Sequence, residues 1–101
     1  MAQKIIVFWR DIPAQVIVKA GRRTARRQLP ERFEQAIDRA AMRAKLTGTD
    51  AYLEQWRRSD PIEVGDDLEN EAANAAEALE TEYDAERIRE MVDNLGFAKA
   101  S

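Results

Sequence analysis

Apolar positions follow two different rhythms along this chain. From Lys4 to Arg10 the run KIIVFWR is apolar at every interior position and rich in β-branched and aromatic residues. It predicts a short strand placed centrally in a sheet and covered on both faces. Asp11-Ile12-Pro13-Ala14 interrupts the run: Pro13 has no N–H for a ladder, and Asp11 is suited to cap a turn through its side chain. Gln15 to Ala20, QVIVKA, predicts a second strand. A connection of about four residues makes an antiparallel hairpin the simplest arrangement.

Gly21 closes the second strand, and Arg22, Arg23, Arg26 and Arg27 follow in a segment with little apolar content. The rhythm then changes. Leu29, Phe33, Ile37, Ala40, Ala41 and Ala44 recur at spacings of three and four, which predicts a helix whose apolar stripe faces the sheet, with Pro30 and Glu31 in its first turn. Glu34, Asp38, Arg39 and Arg43 fall on the other side and are spaced for ion pairs along the helix. Thr47-Gly48-Thr49-Asp50 breaks it, Gly48 as terminator and Thr49 or Asp50 as cap of the next helix. That next helix is predicted over Ala51 to Arg58, with Tyr52, Leu53 and Trp56 on one face, and Asp60-Pro61 ends it. Ile62-Glu63-Val64 alternates like a short edge strand. From Asp66 onward Leu68, Ala72, Ala75, Ala76, Leu79 and Tyr83 mark a long helix. Its stripe is mostly alanine, so it buries little area and depends on a neighbour. A slip of five residues from Tyr83 to Ile88 predicts a separate or kinked last helix, capped by Asp84, carrying Met91, Val92 and Leu95 and closed by Gly96. Ala98 to Ser101 should fray. The pattern predicts one α+β domain over residues 1–97, a small antiparallel β-hairpin or three-stranded sheet packed by three to four helices. Residues 1–64 form its basic part and 65–97 its acidic helical part.

Composition narrows the chemistry. At 101 residues the chain fits one modest core. It has no cysteine and no histidine, which removes disulfides, thiolate nucleophiles, the commonest metal ligand and the commonest general base. The longest apolar run, Ile5 to Trp9, is far short of the roughly 20 residues a membrane helix needs, and the expected location is cytoplasmic. The net charge of −3 conceals an asymmetry. Met1 to Arg58 holds 13 Lys and Arg against 6 Asp and Glu, whereas Ser59 to Ser101 holds 3 against 13. Opposite charge of this kind governs encounter and partner choice, unless the halves neutralise each other by docking.

The arginine cluster Arg22, Arg23, Arg26 and Arg27 is the strongest functional signal. Guanidinium groups match phosphate and carboxylate bidentately, and a helix N-terminus follows directly. Nucleic-acid backbone, a phosphorylated small molecule, an acidic protein surface and a merely solvated basic turn are the competing readings. The sequence pI of about 5.0 stands against nucleic acid. Trp9, Tyr52 and Trp56 fit core positions better than an aromatic platform, and Trp56, followed by Arg57 and Arg58, is the tryptophan suited to an exposed interface. Asp66, Asp67, Glu69 and Glu71 match no calcium-loop spacing and are explained by the helix dipole. Asp11 beside Arg10 is read as a turn cap rather than an acid–base pair, and Gly48 between two threonines makes no phosphate loop.

The blocks FWRDIPAQVIV, GRRTARRQLPERFEQAIDRAAM and TDAYLEQWRR resemble a family of short bacterial proteins, common in alphaproteobacteria, called "virulence factor" after similarity to the C-terminal part of a larger conserved virulence factor. The likeness spans roughly Ile5 to Val64. It carries no catalytic or ligand-binding residues with it. What the resemblance implies, through the gene neighbourhoods of that family, is a helper of folate- and cobalamin-dependent methyl transfer, with a methyltransferase or corrinoid protein as partner. Residues and resemblance together predict a non-catalytic accessory protein without cofactor or metal. It would bind an acidic protein surface through Arg22, Arg23, Arg26, Arg27, Trp56, Arg57 and Arg58, with RNA or DNA backbone as the alternative partner.

Overall fold

The computed structural model describes residues 1–48 and 50–98. Among them the elements run β1 (Ala2–Trp9), β2 (Ile12–Ala20), β3 (Arg23–Gln28), α1 (Glu31–Arg43), α2 (Asp50–Glu54), β4 (Trp56–Arg58), β5 (Ile62–Val64), α3 (Leu68–Glu82) and α4 (Ala85–Asp93). The sheet is antiparallel throughout, in the order β3-β2-β1, with β4 and β5 both on the far side of β1. The apolar run of β1 is thus interior, as its composition predicts. Ser59 joins β4 and β5 into one broken edge: its N–H donates to the Ile6 carbonyl at 2.9 Å, and its hydroxyl accepts from the Ile6 N–H at 2.9 Å.

The sheet is larger than the predicted hairpin or three strands, for two local reasons. The arginine-rich segment is not an irregular turn but the edge strand β3. Its polarity hides the strand because only Ala25 turns a small side chain into the core, at 3% exposure. The helix expected over Ala51 to Arg58 stops at Glu54. Gln55 gives its carbonyl to the Arg10 N–H at 3.0 Å, and Trp56, Arg57 and Arg58 then pair with Trp9, Phe8 and Val7. Isolated short helices are marginal, so a free edge of β1 takes these residues. The β1–β2 connection is also tighter than expected. Arg10 and Asp11 alone form the turn, Arg10 at φ 54°, and Ile12 and Pro13 stay in register with Trp9 and Phe8. Ala14 is the extra residue of a bulge, which is where a proline without a donor is tolerated.

One helix covers the sheet. Leu68, Ala72, Ala76 and Leu79 of α3 pack over Ala2, Val16, Val18 and Ala25, and the alanines let the helix approach closely. Asp67 and Asp84 cap α3 and α4 by accepting from the Asn70 and Arg87 N–H groups at 3.2 and 2.9 Å. The stripe of α1 meets the sheet as expected, but only at its hairpin end. It packs on α4 and on the end of β2, closing the hairpin end of the domain with Phe33, Ile37, Ile88, Met91 and Val92 around Trp9 and Ile12. α1 ends at Arg43, with Lys45 at φ 59°, before the predicted glycine stop. Of the ion pairs expected along α1, Arg43 instead reaches Asp93 of α4 at 3.5 Å. Arg32 donates to the carbonyls of Tyr83 and Glu80 at 2.7 and 2.8 Å, holding the end of α3 against α1.

The last residues are stitched to the β1–β2 turn. The Asp11 N–H donates to the Gly96 carbonyl at 2.9 Å, Arg10 Nη1 donates to Leu95 at 2.7 Å, and the Ala98 N–H donates to an Asp11 carboxylate oxygen at 2.7 Å. Ala98 is therefore held where fraying was expected. The rest of that expected tail, and the cap expected at Thr49, lie outside the described residues. Gly96 sits at φ 94°, and a Cβ there would lie 2.7 Å from the ring of fully buried Trp9. Trp9 also donates its indole N–H to the Tyr52 carbonyl at 3.0 Å.

Two stability measurements check this account. In urea titrations Trp9→Ala should lose about 3–5 kcal/mol. Gly96→Ala should lose at least 1–3 kcal/mol from backbone strain alone, and a loss below about 0.5 kcal/mol would contradict the contact with Trp9. The half-buried Tyr83 phenol is pushed above its ordinary pKa by burial, with Arg87 opposing. The unfolded chain therefore loses this proton first, near pH 10, and folding stability falls as pH rises from there. Melting curves between pH 9 and 11 should show a shallower fall for Tyr83→Phe than for the wild type.

Candidate binding face

Residues opposite one another in an antiparallel ladder share a face, so the register assigns each side chain of the sheet. α3 covers the face bearing Ala2, Val16, Val18 and Ala25. Beyond the row of Trp56, Trp9 and Ile12 at the hairpin end, the opposite face carries three cross-strand rows. Glu63, Gln3, Lys19 and Thr24 form the first; Ile5, Ile17 and Arg26 the second; Arg58, Val7, Gln15 and Gln28 the third. Ile5 and Ile17 are 5% and 4% exposed yet lie outside the main core cluster. They form a small separate apolar patch beneath the long side chains around them, whose stems cover apolar surface while their heads stay in water. β1 was expected to be covered on both faces; on this one Trp9 is covered at the hairpin end, and no helix lies over the three rows.

The predicted arginine cluster is divided by the strand period. Arg22 lies in the turn between β2 and β3. Arg23 and Arg27 sit opposite Ala20 and Val16 on the helix side, and Arg26 alone points to the open face. All four are exposed, and none joins an ion pair among the described residues. The acidic helices leave them uncovered. Arg23 shares a shallow cleft with Asp67 and Glu69 at the start of α3. Part of this charge has a structural use as well, since arginines along an edge strand oppose pairing with another chain.

Arg57 and Arg58 diverge for the same reason. Arg57 stacks on Phe8 at 4.5 Å, donates to the Arg10 carbonyl at 2.9 Å and pairs with Asp11 at 3.1 Å. It is a tie between β4 and the β1–β2 turn. Arg58 lies opposite Val7 on the open face. Lys19, which the cluster-based reading passes over, lies on that face too. Lys19, Arg26 and Arg58 are therefore brought together against one acid, Glu63 at the margin. The signal for this grouping was the period of two in QVIVKA and RTARRQ, once both are recognised as paired strands.

Trp56 is 37% exposed and opposes Trp9 in the ladder. Its ring meets Tyr52 edge-on, with centroids 6.3 Å apart and planes at 85°. These two rings stand in a groove of about 160 Å³ with Gln28, Glu34 and Asp38 over a floor of Ala14, Leu29 and Ile37. The Tyr52 phenol is raised above its ordinary pKa by burial and then by the Asp38 charge, with the Trp56 hydrogen bond lowering it and Glu34 raising it. On the other side of α1 a groove of about 300 Å³ against α4 is bordered by Arg32, Arg39 and Arg89 over Ala36, Ile88 and Val92. Among the described residues no group of three or more acidic side chains is arranged to hold a metal ion. No helix among them is long and apolar enough to cross a membrane.

A family model described as "Virulence factor" matches residues 7–92, from Val7 near the end of β1 to Val92 in the last turn of α4. No curated protein and no solved structure matches the chain. The matched span takes in the last three residues of β1, all of β2 to β5, α1 to α3, all but the last residue of α4 and both tryptophans, and the chain belongs to the Virulence factor family.

Proposed function

We propose that this protein is a non-catalytic accessory protein of the cytoplasm that binds the acidic surface of a partner protein through the open face of its sheet. The observation that carries the reading is the three-row face itself. Lys19, Arg26 and Arg58 stand there around the Ile5–Ile17 patch, unpaired among the described residues and free of any covering helix. Arg22 flanks the face at one end and Trp56 at the other, while Arg23 and Arg27 extend the positive field around the edge of β3. Guanidinium groups pair bidentately with carboxylates, and Gln3, Gln15, Gln28 and Thr24 supply neutral hydrogen-bonding groups between the cations. Encounter would be steered by the basic face, with the acidic outer surface of α3 turned away from the partner. The methyl-transfer setting, with a methyltransferase or corrinoid protein as that partner, rests on the family resemblance alone.

The same cations suit a nucleic-acid backbone, so the test separates the two. The tagged protein is used to capture material from an extract of its native organism, with and without nuclease. A stoichiometric protein should be retained in both cases, and Lys19→Glu/Arg26→Glu/Arg58→Glu should weaken its binding at least tenfold, about 1.4 kcal/mol or more. Arg23→Glu/Arg27→Glu should have a smaller effect, and circular dichroism should be unchanged in both variants. Equal capture by wild type and triple variant would remove the face from the mechanism. Loss of all bound material on nuclease treatment would transfer it to nucleic acid, where affinity must fall steeply with salt.

A further inference from the structure

The groove between α1, α2 and β4 has chemistry opposite to that of the sheet face. Glu34 and Asp38 stand one turn apart on α1, so their charges repel across neighbouring positions. Neither forms an ion pair among the described residues, although α1 carries three arginines. All three are directed elsewhere: Arg32 to the end of α3, Arg43 to Asp93, and Arg39 to the groove against α4. No lysine or arginine borders the space that Glu34 and Asp38 share with Tyr52 and Trp56. The two aromatic rings meet at 85° and so present two perpendicular walls, above the buried side chains of Leu29 and Ile37.

From this geometry we propose that the groove is a binding site for an organic cation, a guanidinium or alkylammonium head group. Aromatic faces attract such cations, and more strongly where water is partly excluded. The two carboxylates supply the counter-charge and the hydrogen-bond acceptors, which a guanidinium satisfies with its fixed donors. At about 160 Å³ the space is smaller than the roughly 300–1,000 Å³ of usual small-molecule sites. It fits one head group rather than a whole nucleotide or cofactor. The raised pKa of Tyr52, which both carboxylates reinforce, agrees with a negative field in the groove. None of Lys19, Arg26 and Arg58 borders the site, which shares only Gln28 and Trp56 with the margin of the basic sheet face.

Two tryptophan indole resonances make the test direct. Trp56 reports on the groove, Trp9, whose N–H is held by the Tyr52 carbonyl, reports on the support behind it, and the backbone amides of α3, which do not border the groove, serve as the internal reference. ¹⁵N-labelled protein is titrated with ethylguanidinium and with tetramethylammonium, against sodium chloride at equal ionic strength and against tert-butanol as a neutral control. The expected result is a saturable shift of the Trp56 indole with the organic cations alone, weakened about tenfold in Glu34→Gln/Asp38→Asn. Both positions are exposed, and an unchanged spectrum elsewhere will establish that the variant is folded. Trp56→Leu, read on the Tyr52 resonances, should weaken binding as well. A shift that follows ionic strength, or one equal in the double variant, would overturn the proposal. An arginine-containing peptide binding more tightly than ethylguanidinium would assign the site to a partner's side chain; equal affinity would assign it to a free amine or guanidine. Glu34→Gln/Asp38→Asn leaves the sheet face intact, so failure in that variant does not touch the proposed partner binding.

Discussion

The structure depends on how little apolar surface the chain has available to cover its own sheet. A five-stranded sheet offers two faces, and one helix with four buried side chains, two of them alanine, lies across it. α1 and α4 are used at the hairpin end, where Trp9, Ile12 and Phe33 need enclosure. No helix remains for the rest of the second face, and the chain instead closes Ile5 and Ile17 beneath long polar side chains. This division makes one face core and leaves most of the other open.

The charge asymmetry along the sequence becomes a separation in space through the same division. The acidic residues ride on the outer side of α3 and α4, and the basic residues occupy the sheet's open face and its β3 edge. Among the described residues two ion pairs cross between the halves, Arg43–Asp93 and the N-terminus with Asp66. The halves therefore do not neutralise each other by broad docking. Beside the basic face, the Tyr52–Trp56 groove adds a pocket of the reverse sign. The surface that results has two adjoining zones of opposite charge.

The class of fold was legible because periodicity survives in long elements. The stripe of Leu68, Ala72, Ala76 and Leu79, the caps at Asp67 and Asp84, and the apolar run of β1 all carry strong local signals. What stayed hidden was set by pairing. RTARRQ reads as a polar turn because an edge strand needs only one inward side chain, and Trp56-Arg57-Arg58 reads as helix because the available edge of β1 is not written near it. The site residues suffered the same way. Adjacent arginines look like one cluster in sequence, yet a period of two sends Arg26 to one face and Arg27 to the other. Lys19 joins the group only through register, and Glu34 and Asp38 meet Tyr52 and Trp56 only through the packing of α1.

The central claim is that the uncovered sheet face receives the partner, and the most direct measurement is an NMR footprint of the captured partner on the labelled protein. The account predicts shifts concentrated on the open-face rows of β1, β2, β3 and β4, at Gln3, Lys19, Arg26 and Arg58, with the outer side of α3 unchanged. Shifts centred on the acidic surface of α3 and α4, with the open face unaffected, would contradict it.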